Sequence, residues 1–294
     1  MRYATPTAFR QALDDRIKAE AIRTGLSETR LRKRVAFELF LRRLAVVAPD
    51  RWVLKGAFAL ELRFSAAARS TKDIDVGHTG DVDRAVEDLA AAQQLQLDDL
   101  FTFAVHRAPA FDQRDDLRAI RFQVKAEVAG RLFDQFPLDV GFSGSRPWPA
   151  ESIETFGFLS FAGIEPIKVS VLPLDHHVAE KVHAYTRRYG KAERDSSRPK
   201  DLVDILLIGS LETLEAASLR QAIVDVFEER AQQPLPTSLP PPPRNWEAPY
   251  RRLASEVGVE PNLANSFARV AAFLDPVLAG LAAGKWDPRR FRWG

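Results

Sequence analysis

The chain contains no cysteine. Disulfides, thiolate metal sites and a cysteine nucleophile are therefore excluded, a composition that suits a reducing compartment. Long apolar runs are missing too. No stretch approaches the ~20 residues that cross a bilayer, and the N-terminal residues carry no apolar signal core, so a cytoplasmic protein is expected. Nor is there a large excess of one charge. With 42 Lys and Arg against 40 Asp and Glu, the net charge of +2 offers a polyanion little global attraction. A nucleic-acid surface would have to be a local patch, built mostly from arginine, which far outnumbers lysine. What is present is 294 residues, 46% of them hydrophobic, enough for one large domain or two ordinary ones.

Helical periodicity runs over residues 7–25 through Phe9, Leu13, Ile17 and Ile22, and resumes after a Ser27 cap through Leu31, Val35, Leu39, Leu41 and Leu44. The second helix also carries Arg30, Arg32, Lys33, Arg34, Arg42 and Arg43. That run reads either as a solvated face or as an electrostatic footprint for an RNA backbone. Residues 52–54 predict a short strand, 57–62 a helix, 74–77 a strand, and 81–92 a helix burying Val82, Val86 and Leu89. Alternation over 101–105, 120–128 and 132–140, with a turn at Gly130, predicts a meander completing a mixed sheet.

Between these elements lies Arg69-Ser70-Thr71-Lys72-Asp73-Ile74-Asp75-Val76. On a strand Asp73 and Asp75 share a face while Ile74 and Val76 point to a core. A carboxylate pair of this kind can hold Mg²⁺ together with substrate phosphates, although Asp-x-Asp also occurs by chance on exposed strand ends. Upstream, Lys55-Gly56-Ala57 opens a helix, where free backbone N–H groups favour phosphate. Lys55, Gly56, Ser70 and Thr71 are the candidate phosphate contacts. Asp139, in an otherwise apolar strand, reads either as a third metal-site acid or as an edge-strand or turn charge beside Gly141.

A second informative stretch is Asp175-His176-His177-Val178-Ala179-Glu180-Lys181-Val182-His183-Ala184-Tyr185. Asp175 is the expected N-cap of a helix burying Val178, Val182 and Tyr185, with Lys181 close to that apolar stripe. Further on, Asp201 and Asp204 are spaced to share a helix face. A structural ion pair is the plain reading of a lysine near such acids. His176, His177 and His183 match no metal-ligand spacing and are expected as surface or core histidines. Residues 232–244 are a proline-rich strap or linker. Residues 263–281 form a helix with a stripe of Phe267, Val270, Phe273 and Leu274, bent or broken at Pro276. The tail from Lys285 to Gly294 mixes arginine with aromatics, and either stacks on RNA bases or packs on the body.

The Lys-Gly turn with the Asp-x-Asp strand resembles the nucleotidyltransferase superfamily, with Ala57 where a second small residue is usual. Adding the Glu180-Lys181-Val182-His183-Ala184 helix and the Lys200-Asp201-Leu202-Val203-Asp204 helix, in this order, the chain resembles the AbiEii-type nucleotidyltransferase toxins, MenT-like toxins of type IV toxin–antitoxin systems. The resemblance implies an α/β (α+β) fold: a polymerase-β-like mixed-sheet domain at residues 1–165, and a mainly helical domain at 166–294 completing the active-site cleft. It implies transfer of nucleotides from a nucleoside triphosphate to the 3′ end of tRNA, with Mg²⁺, blocking aminoacylation and translation. Asp73, Asp75, Lys181 and Asp204 match the catalytic positions, Asp73 and Asp75, with Asp139, the metal positions, and Lys181 the lysine acting on nucleotide phosphates. A separately encoded antitoxin is the implied partner. Two alternatives stand: a small-molecule, antibiotic-type nucleotidyltransferase, and a non-catalytic RNA-binding regulator.

Overall fold

The computed structural model describes residues 2–109, 119–142, 149–187, 198–231 and 233–294. Gln232, the first residue of the expected proline-rich strap, lies outside the described residues. The chain divides into two compact units, one of residues 1–66 and 70–172, the other of residues 67–69 and 173–294.

The first unit begins with α1 (Pro6–Thr24) and α2 (Glu28–Val47). The Thr5 and Ser27 hydroxyls cap their N-termini by accepting the Ala8 and Arg30 N–H groups. Gly25 ends α1 in the left-handed conformation that a residue without Cβ adopts cheaply. Phe9, Leu13 and Ile17 are buried as the periodicity requires, but Ile22 is 87% exposed, because Ala21 continues that i, i+4 row onto the core and Ile22 lies off it.

Then follow β1 (Trp52–Lys55), α3 (Gly56–Phe64), β2 (Ile74–His78), α4 (Val82–Gln94), β3 (Phe101–Arg107), β4 (Ala119–Val128), β5 (Arg131–Phe142), β6 (Glu151–Glu154) and β7 (Lys168–Val171). The seven strands form one sheet in the order β3-β4-β5-β2-β1-β7-β6. β2 runs parallel to β5 and β1 to β7, and the other neighbours are antiparallel, so the sheet is mixed as expected. The β4–β5 turn uses positive φ at both Ala129 and Gly130, the conformation that suits a tight hairpin to strand twist. Phe37 of α2 packs edge-on against Phe58 and Phe136 at 4.8 and 4.7 Å between ring centres, fastening the helix layer to the sheet.

Two expectations fail in informative ways. The buried stripe of α4 is Ala85, Asp88, Leu89 and Ala92, while Val86 is exposed. Asp88 is buried because it accepts two hydrogen bonds from Arg51 at 2.7 Å and meets His78 at 3.1 Å, which removes the cost of burying a lone charge. The basic run of α2 is not an open footprint. Arg30 and Arg34 grip Glu61, Arg32 pairs with Asp14, Lys33 with Asp134, Arg43 with Asp99, and Arg42 donates to the Glu165 carbonyl.

Glu38 of α2 is buried and accepts the Phe156 N–H. Burial pushes its carboxyl up to about 7, against the pull of that bond, the Thr155 hydroxyl and the Arg34 charge. The folded pKa exceeds the ordinary 4.5, so the stability associated with Glu38 is full below about pH 4.5 and is lost as pH rises through about 7. Glu38→Gln, neutral at every pH, is expected to melt above the parent at pH 8 and level with it at pH 4. Equal melting temperatures at pH 8 would contradict this.

The second unit is mainly helical: α5 (Leu174–Thr186), α6 (Pro199–Leu211), α7 (Ala216–Arg230), α8 (Glu247–Val257) and α9 (Leu263–Leu278), closed by the two-stranded β8 (Trp286–Asp287) and β9 (Arg292–Trp293). Asp175 is not the N-cap of α5. Pro173 holds that position, and the Asp175 carboxylate accepts the adjacent His176 N–H instead. Pro276 lies inside α9, which continues two residues past it to Leu278. The strap after α7 is fastened by the Tyr185 hydroxyl donating to Pro240 O at 2.8 Å and by Leu239 N–H donating to Asp275 at 2.8 Å. The tail packs on the body rather than offering its aromatics: Trp286 is fully buried and donates to Gly209 O at 2.7 Å, and Trp293 donates to Phe273 O at 2.8 Å. Arg289, Arg290 and Arg292 stay exposed. Among the described residues no helix is long and apolar enough to cross a membrane.

Candidate active site

The acidic stretch stands at the start of β2, the central strand of the sheet. Ile74 and Val76 are fully buried on one face, and Asp75 lies half-buried on the other, with Asp73 immediately before the strand. The pleat period accounts for this split. In register, Asp75 faces Asp139 of β5 on one side and Lys55 of β1 on the other. Asp139 in turn faces Arg121 of β4. Four adjacent strands therefore present Lys55, Asp75, Asp139 and Arg121 in one row. Since β5 has neighbours on both sides, the edge-strand reading of Asp139 is excluded.

Each acid is held differently. Thr71 donates its hydroxyl to Asp73 Oδ1 at 2.7 Å, so Thr71 steadies the acid, whereas its neighbour Ser70 is exposed. Arg121 donates to both oxygens of Asp139 at 2.6 Å, a two-point grip. The hydrogen bonds Arg121 donates to Asp139, and the negative charges of Asp139, Asp73 and Asp75, raise the Arg121 pKa against its partial desolvation. A Cβ at Gly141 would stand 3.3 Å from Lys55 Nζ, so the ammonium reaches across β2 to lie over that glycine.

Gly56 takes φ +68 and begins α3. A Cβ there would overlap Asp75 Oδ2 and lie 2.8 Å from the Asp75 Cβ. Gly56→Ala therefore meets both a strained backbone and a displaced acid. The expected outcome is a loss of about 1–3 kcal/mol in stability together with loss of divalent-cation affinity, measured by denaturant unfolding and Mn²⁺ titration. Retention of both would show that Asp75 does not depend on this close approach.

Lys181, Asp201 and Asp204 are brought together in the second unit. Lys181 on α5 is 7% exposed and the two acids on α6 are 1% exposed each. Lys181 Nζ donates to Asp204 Oδ2 at 2.6 Å and lies 3.8 Å from Asp201. Arg69 adds a second grip on Asp204, from Nε and Nη2 at 3.0 and 3.1 Å, and Arg198 pairs with Asp201 at 2.7 Å. Burial by itself would raise the Asp204 pKa. The charges of Lys181 and Arg69, with their hydrogen bonds, overcome it and hold the carboxyl down at about 2. Three cations converge on two carboxylates. Arg69 and Arg121 carried no role in the sequence reading. Their partners are distant in the chain, and only strand register and helix packing reveal them.

His177 and His183 are buried, and burial first, then the charges of Arg230 and Arg187, push His183 down to about 3. Among the described residues no group of three or more His, Cys, Asp or Glu is placed to hold a metal ion. Asp73 and Asp75 nevertheless fit a Mg²⁺ bound by one or two carboxylates with substrate phosphates supplying further oxygens, and the glycine cradle at Gly56 preserves the room Asp75 needs.

The family model "Nucleotidyl transferase AbiEii toxin, Type IV TA system" matches residues 39–279. The chain belongs to the AbiEii nucleotidyltransferase toxin family. Both groups of residues described above fall inside the matched span. Among solved structures, the chain is similar to MenT4, the nucleotidyltransferase toxin Rv2826c of Mycobacterium tuberculosis H37Rv, with a TM-score of 0.55 and 18% identity, over 91% of this chain and 98% of that one. It also matches JHP933 of Helicobacter pylori with a TM-score of 0.49 and 12% identity, over 87% and 94%. The MenT4 match supports the AbiEii fold. Comparison with curated proteins gives no match.

Proposed function

We propose that this AbiEii protein transfers nucleotides from a nucleoside triphosphate to the 3′ end of tRNA, blocking aminoacylation and so translation, and that a separately encoded antitoxin restrains it. The observation that carries the transferase chemistry is the Asp73–Asp75 pair seated against the Gly56 turn, with Lys55 in register with Asp75. In the reaction the 3′-hydroxyl oxygen bonds to the α-phosphorus, the bond to the β-phosphate oxygen breaks, pyrophosphate leaves and the hydroxyl proton passes to water. Asp73 and Asp75 would hold Mg²⁺, which polarises the attacked phosphate and acidifies the hydroxyl. Thr71 fixes the orientation of Asp73, and Gly56 and Lys55 offer an N–H and a cation to phosphate. The Lys181 ammonium would offset phosphate charge. Asp204, ionised and gripped by two cations, is a poor proton acceptor, so its role is to position Lys181. Asp139 stands beside the pair as a third acid, in register with Asp75 and held by Arg121.

RNA as acceptor is favoured by the exposed arginines of the tail, since the aromatics beside them are packed away and the guanidinium groups remain for phosphate. Replacing Arg289, Arg290 and Arg292 together by alanine is expected to weaken tRNA binding severalfold and flatten its salt dependence by about one to three units of slope, read from titrations at several salt concentrations. An unchanged slope would place the RNA elsewhere. The second reading, a small hydroxylated acceptor, gains from the neutralised basic run of α2. Periodate-treated tRNA separates the two, because oxidation destroys the 3′-terminal diol. Labelling of intact but not oxidised tRNA supports the tRNA reading, and equal labelling of both contradicts it.

A further inference from the structure

The charges on the four-strand row do not alternate at random. Arg121 occupies both oxygens of Asp139, while Asp75, in register with Asp139, is backed by Gly56 and faced by Lys55. We infer that Arg121 is a positioning residue that withholds Asp139 from the divalent-cation site, so that the cation is held by Asp73 and Asp75 without the third acid. The inference deepens the transferase reading and rests on its metal site.

A bidentate guanidinium–carboxylate pair satisfies both carboxylate oxygens in their plane. A carboxylate so held must break one or both of those bonds to ligate a cation. Asp139 is also mostly buried, with its side chain 12% exposed, so freeing it from Arg121 leaves a charge in poor contact with water. The same guanidinium lies within the field of Asp73 and Asp75. Three acids gathered around one point would bind a divalent ion tightly and leave fewer positions for phosphate oxygens. Two acids leave those positions open. Arg121 thereby keeps the cation site weak when empty and dependent on the triphosphate for completion.

The test is Mn²⁺ binding to the purified full chain without nucleotide or RNA, followed by electron paramagnetic resonance. Arg121→Ala is expected to bind Mn²⁺ about tenfold tighter than the parent, because three carboxylates become available. Asp139→Asn alone is expected to leave affinity within about twofold, since that acid is not a ligand in the parent. Arg121→Ala combined with Asp139→Asn is expected to return to parental affinity. A merely structural role for Arg121 would move the double variant as far as the single one. Loss of binding in Asp139→Asn, or no tightening in folded Arg121→Ala, overturns the inference. Should Arg121→Ala fail to fold, the Asp139→Asn result decides alone. Asp73→Asn is the control for the underlying reading: parental Mn²⁺ affinity in that variant would sink the metal site itself, a result separate from the role of Arg121.

Discussion

Asp204→Ala is expected to destabilise the protein by about 3–5 kcal/mol, the cost of leaving buried cations without their carboxylate. Lys181 and Arg69 both donate to Asp204, and the acid is almost completely enclosed. Removing it strands two positive charges beside Asp201, which pairs with Arg198 and lies farther from Lys181. Asp204→Asn keeps the shape and one acceptor and should cost less. The acid's pKa makes a companion statement. Its folded value, about 2, lies below the ordinary 3.8. The associated stability is therefore present above about pH 4 and lost as pH falls through about 2, amounting to roughly 2 kcal/mol. Denaturant unfolding of parent and variant between pH 2 and pH 7 reads both effects. A variant as stable as the parent at pH 7 would show that the cations of this cluster find other partners.

The second large effect concerns chemistry rather than stability. Asp73→Ala is expected to lower nucleotidyl transfer by about 10³-fold or more, roughly 4 kcal/mol in barrier, because half of the proposed cation-binding pair is lost. The fold should survive. Asp73 stands just before β2, half-buried, and accepts a hydrogen bond from the Thr71 hydroxyl, so its loss breaks no buried ion pair. A parental melting temperature with lost transfer is the expected combination. A folded variant with transfer within tenfold of the parent would remove Asp73 from the proposed mechanism.

The residues that were legible in the sequence are those whose signal is local. Alternation across 120–128 and 132–140 gave the β4–β5 hairpin, and the period of two put Asp73 and Asp75 opposite Ile74 and Val76. Hydropathy misread α4, where small alanines and a paired Asp88 face inward while Val86 faces water. The helix period cannot tell a satisfied buried carboxylate from a solvated one. It likewise could not say that the cations of α2 would each meet an acceptor supplied by another element. Asp139 was visible as a charge out of place, but its meaning depended on register with Asp75 and Arg121, which strand order sets and local pattern does not. Arg69, 135 residues from Asp204 in the chain, could not be tied to it without the packed helices.

In the proposed reaction this AbiEii chain adds nucleotides to tRNA using Asp73 and Lys181. The most direct measurement incubates the purified protein with total tRNA, Mg²⁺ and each labelled nucleoside triphosphate in turn, beside Asp73→Ala and Lys181→Ala. The account predicts label at the tRNA 3′ end with at least one triphosphate, absent in both variants. No label with any triphosphate, from folded protein that still binds tRNA, would contradict it.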